Sequence, residues 1–164
     1  MKRLISFMFS LLAVLAANAL EIPEIFGDNM VLQQNTKAKV WGWAEAGHYI
    51  KVTASWTADA YVAKAQKDGR WTIEVNTPVA SYDKYSITFA EYKTDPDKDK
   101  KAAALDTKVS AGVLIGEVWF CSGQSNMEMP LGGFWNCPIE GANETIAQSG
   151  KYCNSVRVAT IPKV

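Results

Sequence analysis

The residues whose types and spacing could do chemistry are concentrated in one stretch, Gly116-Glu117-Val118-Trp119-Phe120-Cys121-Ser122-Gly123-Gln124-Ser125-Asn126-Met127-Glu128. The apolar run Gly112 to Cys121 delivers its C-terminal end into a turn of small residues, and in open α/β sheets that end borders the ligand crevice. Ser125 is the candidate nucleophile at such a crevice. Gly123 leaves the backbone free to turn, the Ser125 hydroxyl can project, and its own N–H can face a developing oxyanion. The lipase pattern G-x-S-x-G is not met, because Met127 stands where the second glycine would be. Local pattern alone favours a turn or capping serine over a nucleophile, and Ser122 is read as that kind. Gln124 and Asn126 read as turn-stabilising amides, and Trp119 and Phe120 as core.

A nucleophilic serine needs a base to take its proton and return it to the leaving alcohol. The sequence holds one histidine, His48. It falls in an apparent surface hairpin turn beside Gly47, a poor place for a base that must come within about 3 Å of the nucleophile. Three cysteines, Cys121, Cys137 and Cys153, cannot all pair within one chain. Cys137 and Cys153 flank a polar loop that a bridge could close, while Cys121 reads as a small buried residue. Their scatter lacks the close spacing of a zinc site, and no metal or organic cofactor is implied by serine acyl transfer.

The elements that would position Ser125 are mainly β. Short strands are expected at Met30–Leu32, Ala38–Trp43, Tyr49–Trp56, Tyr61–Ala65, Trp71–Val75, Tyr85–Ala90 and Lys108–Val113. Their alternation of apolar with polar or small residues fits half-buried strands of a β-sandwich. Gly47 and the Asp68-Gly69 pair supply the positive φ of hairpin turns. Tyr92 to Asp106 is a charged, solvated loop. From Gly112 the texture changes to a strand buried on both faces, as at the start of a parallel sheet covered by helices, followed by a helix near Ala142–Ser149 and a last strand, Ser155–Ile161. The expected division is therefore 1–19 signal peptide, 20–112 β-sandwich-like domain and 113–164 the incomplete start of an α/β domain.

Lys2 and Arg3, the apolar run Leu4–Ala16 and the small residues Ala17-Asn18-Ala19 read as a signal peptide cut after Ala19, which implies a periplasmic or secreted protein with no membrane association after cleavage. Basic and acidic residues balance at 17 each, so no global field attracts nucleic acid or an anionic membrane. Hydrophobic residues make up 48% of the chain, enough for a core. Composition says nothing of oligomeric state.

The Gly116–Glu128 block resembles the signature of the sialate O-acetylesterase family, a branch of the SGNH hydrolases in which G-Q-S-N replaces G-D-S. Upstream, Ile25-Phe26-Gly27-Asp28-Asn29-Met30-Val31-Leu32-Gln33-Gln34, Val40-Trp41-Gly42-Trp43-Ala44 and Asp68-Gly69-Arg70-Trp71 are similar to the family's N-terminal β-domain. The resemblance implies a hydrolase of O-acetyl esters on sialic acid or other sugars, with Ser125 as nucleophile and its backbone N–H as an oxyanion donor. It also implies that the family's catalytic His, its partner Asp and further oxyanion donors come from later blocks, absent here, so the chain is expected to be inactive alone. The rival expectation is a non-catalytic carbohydrate-binding β-sandwich that uses Trp41, Trp43, Trp56 or Trp71 as a stacking platform.

Overall fold

A computed structural model of the chain describes residues 20–161; the expected signal peptide lies outside them. The architecture is mainly β. Among the described residues seven strands follow in chain order: β1 (Val31–Gln33), β2 (Lys37–Trp43), β3 (Tyr49–Ala54), β4 (Ala60–Lys64), β5 (Arg70–Asn76), β6 (Ser81–Tyr92) and β7 (Ala104–Gly116). They form a five-stranded sheet of order β1-β7-β6-β3-β4 and a two-stranded sheet, β2-β5. Only β1 and β7 run parallel; the other pairs are antiparallel.

Alternation along the strands decides what is inside. β2 and β5 turn Ala38, Val40, Trp71, Ile73 and Val75 inward. Ile50 and Val52 of β3, Ile87 and Phe89 of β6, and Val113 and Ile115 of β7 meet them in one core. Trp71 lies against Phe89, with ring centroids 6.0 Å apart. Facing it across β2 is Gly42, where any side chain would run into the indole, so Gly42 leaves the space that Trp71 fills.

Both turn glycines have the expected positive φ, +84° at Gly47 and +80° at Gly69, but the pairing expected of them is not found. The Gln66 N–H donates to the Arg70 carbonyl at 2.8 Å across the second turn, but neither turn joins two strands of one ladder: the first carries the chain from β2 to β3 and the second from β4 to β5, each time into the other sheet. The left-handed residue supplies a tight reversal, and the hydrophobic faces decide which strands pair.

The strand expected to open a parallel sheet is the last of the five-stranded sheet. β7 runs through Gly112, pairs with β6 along most of its length and with β1 at its end. Val113, Leu114 and Ile115 are buried in succession, so both faces are covered there. Beyond Gly116 the expected buried run is exposed: Trp119 and Phe120 have 82% and 86% of their surface open. Among the described residues no strand pairs with 117–121, and apolar composition without a packing partner does not make a buried strand. Two short helices follow, α1 (Ser125–Glu128) and α2 (Ala142–Gln148), the second where it was expected. No strand forms over 155–161, again with no neighbouring strand to pair with it.

Candidate active site

The strand that points to Ser125 is built from two blocks of sequence that lie far apart. Asp28 Oδ1 accepts the Ala111 N–H at 2.8 Å, and the Asn29 N–H donates to the Ala111 carbonyl at 2.8 Å. Asn29 takes a left-handed φ of +64°, which its short amide side chain tolerates. Gly112 is also left-handed, at +66°, and a Cβ there would lie 2.6 Å from Asn29 Oδ1. Two backbone excursions thus fit each other where β1 meets β7. The strands then pair in register, Val31 with Leu114, Leu32 with Ile115 and Gln33 with Gly116.

At the exit of β7 the side chains take over from the ladder. Gln33 Nε2 donates to Glu117 Oε2 at 3.0 Å and Gln34 Nε2 to Glu117 Oε1 at 2.6 Å. Gln33 Oε1 accepts the Val118 N–H at 2.9 Å, and the Gln34 N–H donates to the Gly116 carbonyl at 2.9 Å. Donation from Gln33, then from Gln34, holds the Glu117 carboxyl below the usual carboxylate range.

Ser125 opens α1 and is exposed. Its carbonyl accepts the Met129 N–H at 3.1 Å. As the first residue of a helical turn it has an N–H with no intrahelical acceptor. Gly123 has a local use, since a Cβ on it would stand 2.5 Å from Met127 Cγ, so its bareness lets the Met127 side chain lie against the turn. A cavity of about 440 Å³ lies between the outer face of the large sheet, at Lys51, Thr88 and Tyr92, and the loop residues Asp99 and Lys100. A smaller one of about 280 Å³ lies over Trp41, Trp43, Arg70 and Thr72. Ser125 lines neither.

His48 is not the surface residue its turn implied. Its Nδ1 lies 2.7 Å from Glu91 Oε1, with 20% of the His48 side chain and 4% of the Glu91 side chain exposed. Glu91 is the next inward-facing residue of β6 after Phe89, and a buried carboxylate needs partners. It takes them from His48 and from the Glu45 N–H, at 3.2 Å. The imidazole therefore fastens the β2–β3 turn to β6, and no described side-chain hydrogen bond joins it to Ser125.

All three thiols are free and exposed. Cys121 is not buried, because it lies in the unpaired stretch after β7, and the bridge weighed for Cys137 and Cys153 is not formed. Among the described residues no group of three or more His, Cys, Asp or Glu side chains could hold a metal ion. Of the tryptophans, Trp71 is buried, and Trp56 packs on the core with its Nε1 donating to the Asn76 carbonyl. Trp41 is 39% exposed and meets Phe26 edge to face at 4.5 Å.

The sequence aligns with the sialate O-acetylesterase of Pongo abelii at 29% identity over 130 residues and with that of Homo sapiens at 28% over 130 residues. Over this stretch the chain is similar to sialate O-acetylesterases. The alignments take in 74% of this chain and 23% of each relative, so the chain spans less than a quarter of the length of these proteins. Its fold matches part of a solved carbohydrate acetylesterase from Xanthomonas citri, with a TM-score of 0.51 and 24% identity over 69% of this chain and 23% of that one. No family model matches.

The features that sequence reasoning left without a role are Gln33, Gln34, Glu117 and Arg157. Arg157 Nη1 donates to the carbonyls of Asn29 at 2.7 Å and Gly112 at 3.1 Å, tying the end of the described chain to the place where β1 meets β7. The first three stand inside the blocks that carry the family resemblance, and that was the available signal. Arg157 had none.

Proposed function

We propose that these residues supply the nucleophile, Ser125, and the β layer beneath it for a carbohydrate O-acetylesterase that cleaves acetyl esters of sialic acid or other acetylated sugars. The observation that carries this reading is the joining of the two family-like blocks, 25–34 and 116–128, at the end of the strand that leads to Ser125, where Gln33 pairs with Gly116 and Gln34 bonds to Glu117. In this chemistry the Ser125 oxygen attacks the acetyl carbonyl as a base takes its proton, the Ser125 N–H faces the oxyanion, the ester C–O bond breaks and the sugar oxygen leaves with that proton, and water then releases acetate from the serine.

His48 is the single histidine of the sequence and no described hydrogen bond joins it to Ser125, so the base is expected from another residue. The 164 residues alone should therefore give little or no turnover of an aryl acetate. A polypeptide that joins them to a catalytic histidine should hydrolyse O-acetylated sialic acid, with kcat falling by roughly 10³-fold or more in Ser125→Ala. Turnover unaffected by Ser125→Ala would refute the assignment. Export goes with this reading: a mature N-terminus at Leu20 in the periplasmic or secreted fraction is the expected product.

A second reading has one observation in its favour. Trp41 and Trp43 share the outer face of β2 with Thr72 and Arg70 across the strand pair, an aromatic surface beside polar groups of the kind on which sugars stack. It predicts sugar binding lost in Trp41→Ala and unchanged in Ser125→Ala.

A further inference from the structure

The end of the β1–β7 pair carries more bonds than pairing requires. One carboxylate, Glu117, uses both oxygens on two neighbouring amides. Each amide is also engaged at its other end: Gln33 Oε1 holds the Val118 N–H, and Gln34 Oε1 holds the Ala80 N–H at 2.9 Å. The Gln34 N–H adds a bond to the Gly116 carbonyl. These side-chain bonds are solvent-exposed, and such bonds add little to global stability. Together they leave the backbone at Gly116–Val118 one direction in which to go.

We propose that Gln33, Gln34 and Glu117 form a clamp that sets the direction in which the chain leaves β7 toward the turn carrying Ser125. They are positioning residues, with no contact to substrate, and their catalytic relevance rests on the reading of Ser125 as nucleophile. Between Glu117 and Ser125 lie only seven residues, Val118 to Gln124. Among the described residues the clamp is the last set of side-chain bonds from the sheet before Ser125.

The bonding pattern can be exchanged without being lost. In Glu117→Gln an amide nitrogen meets a donating Gln amide, and in Gln33→Glu two carboxylates face each other. In the double variant Gln33→Glu/Glu117→Gln, the new carboxylate accepts from Val118 N–H and from the new amide, whose oxygen still accepts from Gln34.

Hydrogen exchange resolved to single amides, on the whole chain, tests the clamp. The Val118 amide, bonded to Gln33 Oε1, should exchange at least about tenfold faster in each single variant and return to the wild-type rate in the double one, while Leu114, bonded to the Met30 carbonyl, stays unchanged. Wild-type exchange at Val118 in Glu117→Gln overturns the proposal. So does a Leu114 amide that loosens by the same factor, since the trio would then be an ordinary sheet contact, or a folded double variant that fails to recover. If a single variant does not fold, recovery in the double variant still decides. The readout does not pass through turnover, so a Ser125 that proves unreactive sinks the esterase reading and leaves the clamp to be judged on its own.

Discussion

Gln34 Nε2 donates to Glu117 Oε1 at 2.6 Å across 83 positions of sequence, joining the first residue beyond β1 to the first residue beyond β7. It is the shortest of the bonds that gather on the Glu117 carboxylate and Val118, and it shows how the early family-like block bears on the later one.

Glu117 should titrate below an ordinary glutamate. Its folded pKa is depressed, first by Gln33 and then by Gln34. Its contribution is therefore present above the unfolded pKa and lost as pH falls through the folded one. A side-chain NMR titration should place the Glu117 midpoint below that of exposed glutamates, and Gln33→Ala with Gln34→Ala should return it to the ordinary range. An unchanged midpoint would contradict the bonding seen here.

Gly112→Ala should destabilise the protein by about 1–3 kcal/mol, because alanine pays for a left-handed φ and its Cβ meets Asn29 Oδ1. Urea denaturation would measure this. Gly132, with nothing within 4 Å of an added Cβ, is the control, and Gly132→Ala should be nearly neutral.

His48→Ala should cost about 1–3 kcal/mol, since it leaves Glu91 buried with the Glu45 N–H as its remaining bond. The pairing of β3 with β6 beside Glu91 should loosen first, visible as faster exchange of the Lys51 amide, which faces β6. A thermal midpoint equal to wild type would show that the pair does not hold the turn.

Three thiols should react with an aromatic disulfide reagent in the folded, unreduced protein, matching three free, exposed cysteines. A count of one would mean that Cys137 and Cys153 are joined.

Strand positions were legible from the sequence because alternation reports burial directly. Trp71-Thr72-Ile73-Glu74-Val75 became β5 with every second residue inside. What alternation does not carry is which strand neighbours which. Gly47 and Gly69 signalled reversals correctly, yet both reversals change sheets. His48 was misjudged for a related reason: its local setting was a turn, and only the tertiary fold brings that turn over Glu91. The Val118–Cys121 run looked like core because apolar residues state a preference for burial without supplying a partner. For the candidate site, the turn at Ser125 stood out by composition and family likeness, whereas Gln33, Gln34 and Glu117 are polar residues whose meaning lies in a contact made far along the chain.

The parallel ladder between β1 and β7 has a consequence for the order of folding. The antiparallel β6–β7 ladder joins neighbouring strands, but Val31 reaches Leu114 only after everything between them has been brought into place. Closing so long a loop costs entropy before any contact repays it, and pairings of this kind form late. Of the two strands the one made earlier on the ribosome thus waits for the later one before it docks, and the path toward Ser125 takes its final course only when β1 joins the sheet.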